Sequence, residues 1–173
     1  TAGNIDLNGD TIAQVGNVVI DAAAGTLDVD GDIDTQLGDI DLDGQTAVTI
    51  NGEVTALLGD VEVTSVTQNI DADGTGLVRG DNVGLTADTG IVANTAATTL
   101  DADVRAAGDI DITEADDVVV DADDITTFDG SITLVAGGSI TDGAAEANIT
   151  VGDDGGSGDD NLTVTAGADV IFD

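Results

Sequence analysis

The chain has 173 residues, long enough for one domain with a sizeable core. It carries 36 acidic residues against Arg79 and Arg105, a formal charge of −34, and it lacks Cys, Pro, Met, Trp, Tyr, His and Lys. That balance excludes recognition of nucleic-acid phosphate, because no basic surface is there to displace counterions, and it disfavours anionic membranes.

The acidity is not that of a disordered tail. Hydrophobic residues make up 41% of the chain, with Val, Ile and Leu at regular places. No apolar run reaches the roughly 18 residues that span a bilayer. Without Cys there is no disulfide to staple the fold. A narrow alphabet is what a repeat produces when a few positions are copied many times. No basic leader precedes Thr1, which reads as a processed protein or a segment of a longer one.

Taken in order, the strands fall into three interleaved series. The first follows Ile5, Leu27, Val48, Ile70 and Ile91, in steps of 22, 21, 22 and 21. The second follows Ile12, Ile33, Val54, Leu77 and Leu100, and the third Val18, Ile40, Val61 and Val83. Asn8-Gly9, Asp30-Gly31, Asn51-Gly52 and Asp73-Gly74 close the first series. Gly16-Asn17, Gly38-Asp39, Gly59-Asp60 and Gly80-Asp81 open the third. The clearest lap predicts strands at Ile40–Leu42, Val48–Ile50 and Val54–Leu58, each alternating apolar with polar or small residues. Gly44 and Asn51-Gly52 are expected at turns with positive φ.

The rhythm slips between residues 86 and 107. The third series then steps by 27 from Val83 to Ile110, which predicts a bulging loop in Thr89–Asp103. It continues at Ile132, while the first series is expected to resume at Val118, Ile140 and Leu162. Residues 152–160 read as a Gly/Asp loop. Three strands in 21–22 residues leave short corners, so successive laps can stack strand on strand. The expectation is an all-β, right-handed parallel β-helix of about eight coils in a single domain, 1–173.

The period and the Gly-(Asp/Asn)-Ile-x-Leu openings, such as Gly38-Asp39-Ile40-Asp41-Leu42, resemble filamentous-haemagglutinin-like exoproteins and autotransporter passengers. The resemblance implies a secreted or surface-displayed bacterial protein of the adhesin or biofilm kind, with host or cell-surface glycans or proteins as partners. Gly155-Gly156-Ser157-Gly158-Asp159-Asp160-Asn161-Leu162-Thr163 is similar to the nonapeptide of RTX calcium rolls, and Gly167, Asp169 and Ile171 keep its phase. A single loop with that spacing is the competing reading.

The residues that could carry chemistry are acids. The middle residue of an Ile-x-Leu strand points outward, so Asp6, Asp28 and Asp71 in the first series, and Asp41, Glu62 and Asp111 in the third, would form ladders. Two unit charges one rung apart repel by about 0.9 kcal/mol even in bulk water. A cation-binding face, for calcium above all, would offset that repulsion. A plain acidic surface suited to high salt is the alternative. Asp39-x-Asp41-x-Asp43-Gly44 has the opening of an EF-hand loop, and Asn69-x-Asp71-x-Asp73-Gly74 nearly repeats it. Both lack the closing Glu, with Ile50 and Gly80 in its place, and both fit a strand followed by a turn. The candidate cation ligands are therefore Asp6, Asp28, Asp71, Asp39, Asp41, Asp43, Asp159, Asp160 and Asp169.

Enzymatic readings are poor. There is no His or Cys to serve a nucleophile or zinc, and there are no Trp or Tyr platforms for sugar rings. Arg79 and Arg105 are expected to lie close together and to pair with surface Asp. The sequence thus points to an acidic extracellular rod that is not an enzyme, continuing end to end as a homo-oligomer or filament. A calcium-dependent module is the alternative.

Overall fold

The computed structural model describes residues 3–143, 148–152 and 160–172, the side chains of 121–124 excepted. Within these the chain is a parallel β-solenoid. The first wall stacks strands headed by Ile5, Leu27, Val48, Ile70, Ile91, Ile110, Ile132 and Leu162, each in register with the next. The laps from Ile5 to Ile132 run through described backbone. The lap from Ile132 to Leu162 passes outside it.

In the N-terminal turns each lap has three walls. The second turn shows them as Leu27–Val29, Ile33–Thr35 and Ile40–Gly44, each alternating inward and outward residues. Leu27, Val29, Ile33, Ile40 and Leu42 are buried in a single continuous core. Each such side chain contributes roughly 1.5–3 kcal/mol when fully buried. Inward hydroxyls sit where a wall ends and satisfy a corner carbonyl. Thr35 Oγ1 donates to the Gly38 carbonyl at 2.8 Å, and Thr127 Oγ1 to that of Gly108 at 2.8 Å.

The corners need glycine mostly for room, not for positive φ. A Cβ on Gly31 would lie 2.5 Å from the carbonyl carbon of Gly9, one turn below. Gly52 meets Gly31 in the same way, and neither has positive φ. Gly44 is the buried end of a strand and not a turn residue. The Asp73-Gly74 turn does use the left-handed region, with Gly74 at φ +62°.

Further expectations are corrected. The second wall pairs Thr11 with Ile33, so Ile12 faces out opposite Asp34 and is 70% exposed. A slip of one residue exchanges the two faces of a strand. The third strand of the clearest lap ends at Ala56, and Leu57 and Leu58 lie exposed at the corner beyond it.

The third correction concerns residues 89–103, which do not bulge. Ile91–Ala107 is one long strand that pairs along Leu77–Ala87 below it. Its corner is reduced to two consecutive outward residues, Thr98 and Thr99, just as Asp81 and Asn82 form the corner beneath. The lap therefore shortens to 19 residues and Ile110 lands on Ile91, in the first wall. Val118 and Ile140 belong to the wall that continues from Thr99 and Leu100, not to the first wall; Leu100 itself stacks on Val83 and under Val120, outside the second series, and Val78 instead of Leu77 takes the place above Val54.

That change of cross-section leaves backbone donors to satisfy. The chain turns after Glu114, which stacks on Thr95, so the strand ladder above stops short of Ala96 and Ala97. Glu114 lies inside, 1% exposed. Its Oε2 accepts from Thr95 Oγ1 at 2.8 Å and from the Ala97 amide at 3.1 Å, and its Oε1 from the Asp116 amide at 3.2 Å. The carboxylate substitutes for the missing strand. Glu114→Ala should therefore cost about 3–5 kcal/mol, since it strands buried donors. Glu114→Gln, which keeps an acceptor, should cost about 1–3 kcal/mol. Urea unfolding followed by far-UV circular dichroism measures both, and a loss below about 1 kcal/mol for the alanine variant would refute the role.

Candidate functional site

Strand alternation carries the acids outward, and parallel register stacks them. Asp6 is paired with Asp28 on the first wall. Asp21 is paired with Asp43 on the third, and Asp41 lies between Val19 and Glu62. On the second wall Asp34 lies between Ile12 and Thr55. Asp28, Asp34, Asp41 and Asp43 all belong to the second turn, so one turn carries a crowded carboxylate on each of its walls.

The crowding shows in their protonation. Burial, then the charges of Asp30 and Asp6, raises the Asp28 carboxyl above its ordinary value. Burial, then Glu53, Asp32 and Asp10, raises Asp34. Burial, then Glu62 and Asp21, raises Asp41. Asp43 is raised by burial, Asp41 and Asp21, partly offset by a hydrogen bond with Thr64. Oδ1 of Asp28 is buried with no hydrogen-bond partner. Its neighbours are engaged elsewhere. Asp6 accepts from Asn8 Nδ2 at 2.7 Å and Asp30 from Asn51 Nδ2 at 2.8 Å.

A second population of acids does structural work at the corners. The residue just before a strand accepts the backbone amide of its counterpart one turn above. Asp10 takes Asp32, Asp32 takes Glu53, Asn17 takes Asp39, Asp39 takes Asp60, and Asp60 takes Asn82, at 2.9–3.3 Å. Asp109 and Asp117 repeat the contact in the later turns with Ser131 and Ser139. Corner amides point away from the strand ladder, and a short acceptor at this position satisfies them.

The sequence-derived cation ligands separate accordingly. Asp6 and Asp28 are neighbours, but Thr49 stands between Asp28 and Asp71. Asp39 is tied into the corner ladder, and its Oδ2 accepts from Asn17 Nδ2 at 3.1 Å. Asp41 and Asp43 follow along an extended strand, which spaces them out instead of wrapping them around one ion. The Asn69–Gly74 copy is likewise a strand, Ile70–Ala72, and then a turn. Asp160 and Asp169 lie on either side of the strand Leu162–Ala166, and Asp159 lies outside the described residues. Among the described residues no three acidic side chains are grouped so as to hold a metal ion.

The two arginines are not brought together. Arg79 faces out on the second wall between Thr55 and Ala96. Arg105 lies near the end of the long strand and donates to the Ser65 carbonyl at 3.2 Å.

Other surface features had no clear signal in the sequence. Gly84 interrupts the outward column between Glu62 and Asp101 and opens a cleft of about 390 Å³, lined also by Asp60, Asn82 and Thr86. Val15, Leu37, Leu57 and Leu58 are exposed apolar residues that follow the second-wall strands of the first three turns. Comparison of the chain with protein-family models, curated proteins and solved structures gives no significant match.

Stacked carboxylates make the fold dependent on ionic strength. The melting temperature should rise as NaCl goes from about 10 mM to about 1 M, over which the screening length shrinks from about 30 Å to about 3 Å. A flat profile would mean that the register-paired acids do not repel.

Proposed function

We propose that this protein is an extracellular structural rod, an acidic β-helical segment of a surface adhesin, matrix or filament, related in kind to filamentous-haemagglutinin-like and autotransporter-passenger exoproteins. The observation that carries the reading is the pair of open end turns. In the first, Ile5, Leu7 and Ile20 are only partly covered, whereas their counterparts one turn up are buried. In the last described turn Leu162, Val170, Ile171 and Phe172 are 45–49% exposed. Beside them Ile149, Val164 and Phe172 line a recess of about 300 Å³. Each face offers an apolar column together with the edges of parallel strands, the features that accept a further turn.

The rod continues, in this reading, either through more turns of a longer chain or through a second copy stacked head to tail. The second contact does not close on itself and would build filaments. Its binding partners would be glycans or proteins of a cell surface, engaged along the outer walls, and no catalytic step is assigned.

Electron microscopy of the concentrated protein tests this. The expected result is rods in which each copy adds about 38 Å, eight rungs of about 4.8 Å. Short particles of one length at every concentration would overturn stacking between copies. Calcium provides the second arm. If millimolar calcium raised the melting temperature well beyond the effect of NaCl at equal ionic strength, the chain would be a calcium-dependent module instead.

A further inference from the structure

The outward face of the third wall lacks a side chain at Gly84, between Glu62 and Asp101. We propose that the cleft over Gly84 binds a short linear polyamine, its aliphatic chain lying across the glycine and its ammonium ends set against Glu62 and Asp101. The cleft lies in the middle of the described rod, whatever continues the rod at either end.

The glycine is the first observation. Among the described residues three glycines lie within strands, Gly44, Gly80 and Gly84. Gly44 and Gly80 are there for room. A Cβ on Gly44 would lie 2.6 Å from the Ala47 carbonyl oxygen, and one on Gly80 2.9 Å from that of Asn82. Gly84 is not crowded in this way. Beyond its chain neighbours, a Cβ on it would meet only Asp101 Oδ2, at 3.9 Å, and its φ is not positive. The strand keeps its register through this residue, so no bulge calls for it. A glycine inside a strand forfeits side-chain packing and costs conformational entropy. The use that remains for it is close approach of another molecule to the backbone.

The shape and lining of the cleft select that molecule. The cleft holds about 390 Å³. Glu62 closes it towards the third turn and Asp101 towards the fifth, two rungs or about 9.6 Å apart along the rod. Asn82 and Thr86 bound it along the strand. Asn82 is held in place by its Nδ2, which donates to Asp60 Oδ1 at 2.8 Å, so this wall is preorganised. Neither arginine supplies a cation here. Arg79 lines a separate recess with Asp116 and Asp117, and Arg105 donates to the Ser65 carbonyl.

On its other side Glu62 faces Asp41, whose carboxyl is raised by burial and then by Glu62. A cation in the cleft would relieve that repulsion. A single metal ion does not suit carboxylates two rungs apart, and among the described residues no three acids are grouped around one point. A flexible chain with an ammonium at each end does suit them. Each end meets a carboxylate, the oxygens of Asn82 and Thr86 accept from remaining N–H groups, and the methylenes cross where the side chain is missing.

NMR titration of the backbone amides of the whole chain tests this, with putrescine as the probe. In about 150 mM NaCl exposed charges are screened beyond about 8 Å. Saturable shifts should centre on the amides of Asn82, Gly84 and Thr86. n-Butylammonium has the same chain and one charge, and it should bind about fivefold more weakly because it loses one exposed ion pair. Gly84→Thr changes no charge and has room for its Cβ. It should keep or raise the melting temperature and weaken putrescine binding by about tenfold or more. Glu62→Gln leaves the gap open and should weaken binding about fivefold. Asp111→Asn, on the first wall, should change nothing. Shifts spread evenly along the acid columns, equal affinity for putrescine and butylammonium, or unaltered binding by Gly84→Thr would each overturn the site and leave only a diffuse counter-ion atmosphere.

Discussion

Parallel hydrogen bonding sets the distance between turns at about 4.8 Å, and everything else in this molecule answers to that spacing. Each position of the cross-section becomes a column. Inward columns such as Leu27, Val48, Ile70 and Ile91 turn the constraint into a continuous core. Outward columns multiply whatever they hold, and a single acid per strand becomes a stack of like charges. The corners face the same constraint from the backbone side. Their amides have no strand partner, and the Asx column running through Asn17, Asp39 and Asp60 supplies acceptors at the right interval. Acidity is thus partly a by-product of corner chemistry, because Asp and Asn are the short acceptors that fit there.

The first four turns were legible because glycine and Asx residues mark their corners in the sequence. Val18, Ile40, Val61 and Val83 fall in one column as the period implies. Legibility failed at two levels. Ile12 was misplaced because Thr11-Ile12-Ala13 offers one large apolar residue in a three-residue strand, and only pairing with Ile33 reveals which parity faces in. Between Gly90 and Gly108 the corner glycines disappear. Ala93-Asn94-Thr95-Ala96-Ala97 gives no punctuation, so a lap that shortened looked like a lap that had lengthened. The same misreading hid Glu114. An acid flanked by Thr113 and Ala115 carries no local sign of burial, and its partners Thr95 and Ala97 lie nearly a full lap away. The acid columns themselves were visible, but not the Thr49 that separates Asp28 from Asp71.

Glu114 shows how such a rod changes shape without breaking. Two turns with different outlines can share a wall only if the backbone groups of the wall that ends are satisfied. An apolar residue at this place would pack but would leave the Ala97 and Asp116 amides without acceptors. A buried carboxylate with three donors converts the discontinuity into a closed network. The cost of burying charge explains why this happens at the splice and not in the regular turns, whose inward polar residues are hydroxyls such as Thr35 and Ser65.

The outward columns also give the rod a direction. Near the first turn they hold Asp6, Asp21, Asp28 and Asp43, acid above acid. Further on, threonine intervenes or replaces them, as in Asp111 followed by Thr133 and Thr163. An acid below a threonine has no opposing charge above it, and Asp43 beneath Thr64 even gains a hydrogen bond. An acid above an acid carries a repulsion that salt or protons must relieve. A strand added beyond Leu162–Ala166 would meet Thr163 and Thr165, so its own carboxylates would find neutral partners. A strand added before Ile5–Leu7 would meet Asp6. The outward columns thus differ along the described rod through single residues, Asp6 in one outer strand of the first wall and Thr163 and Thr165 in the other.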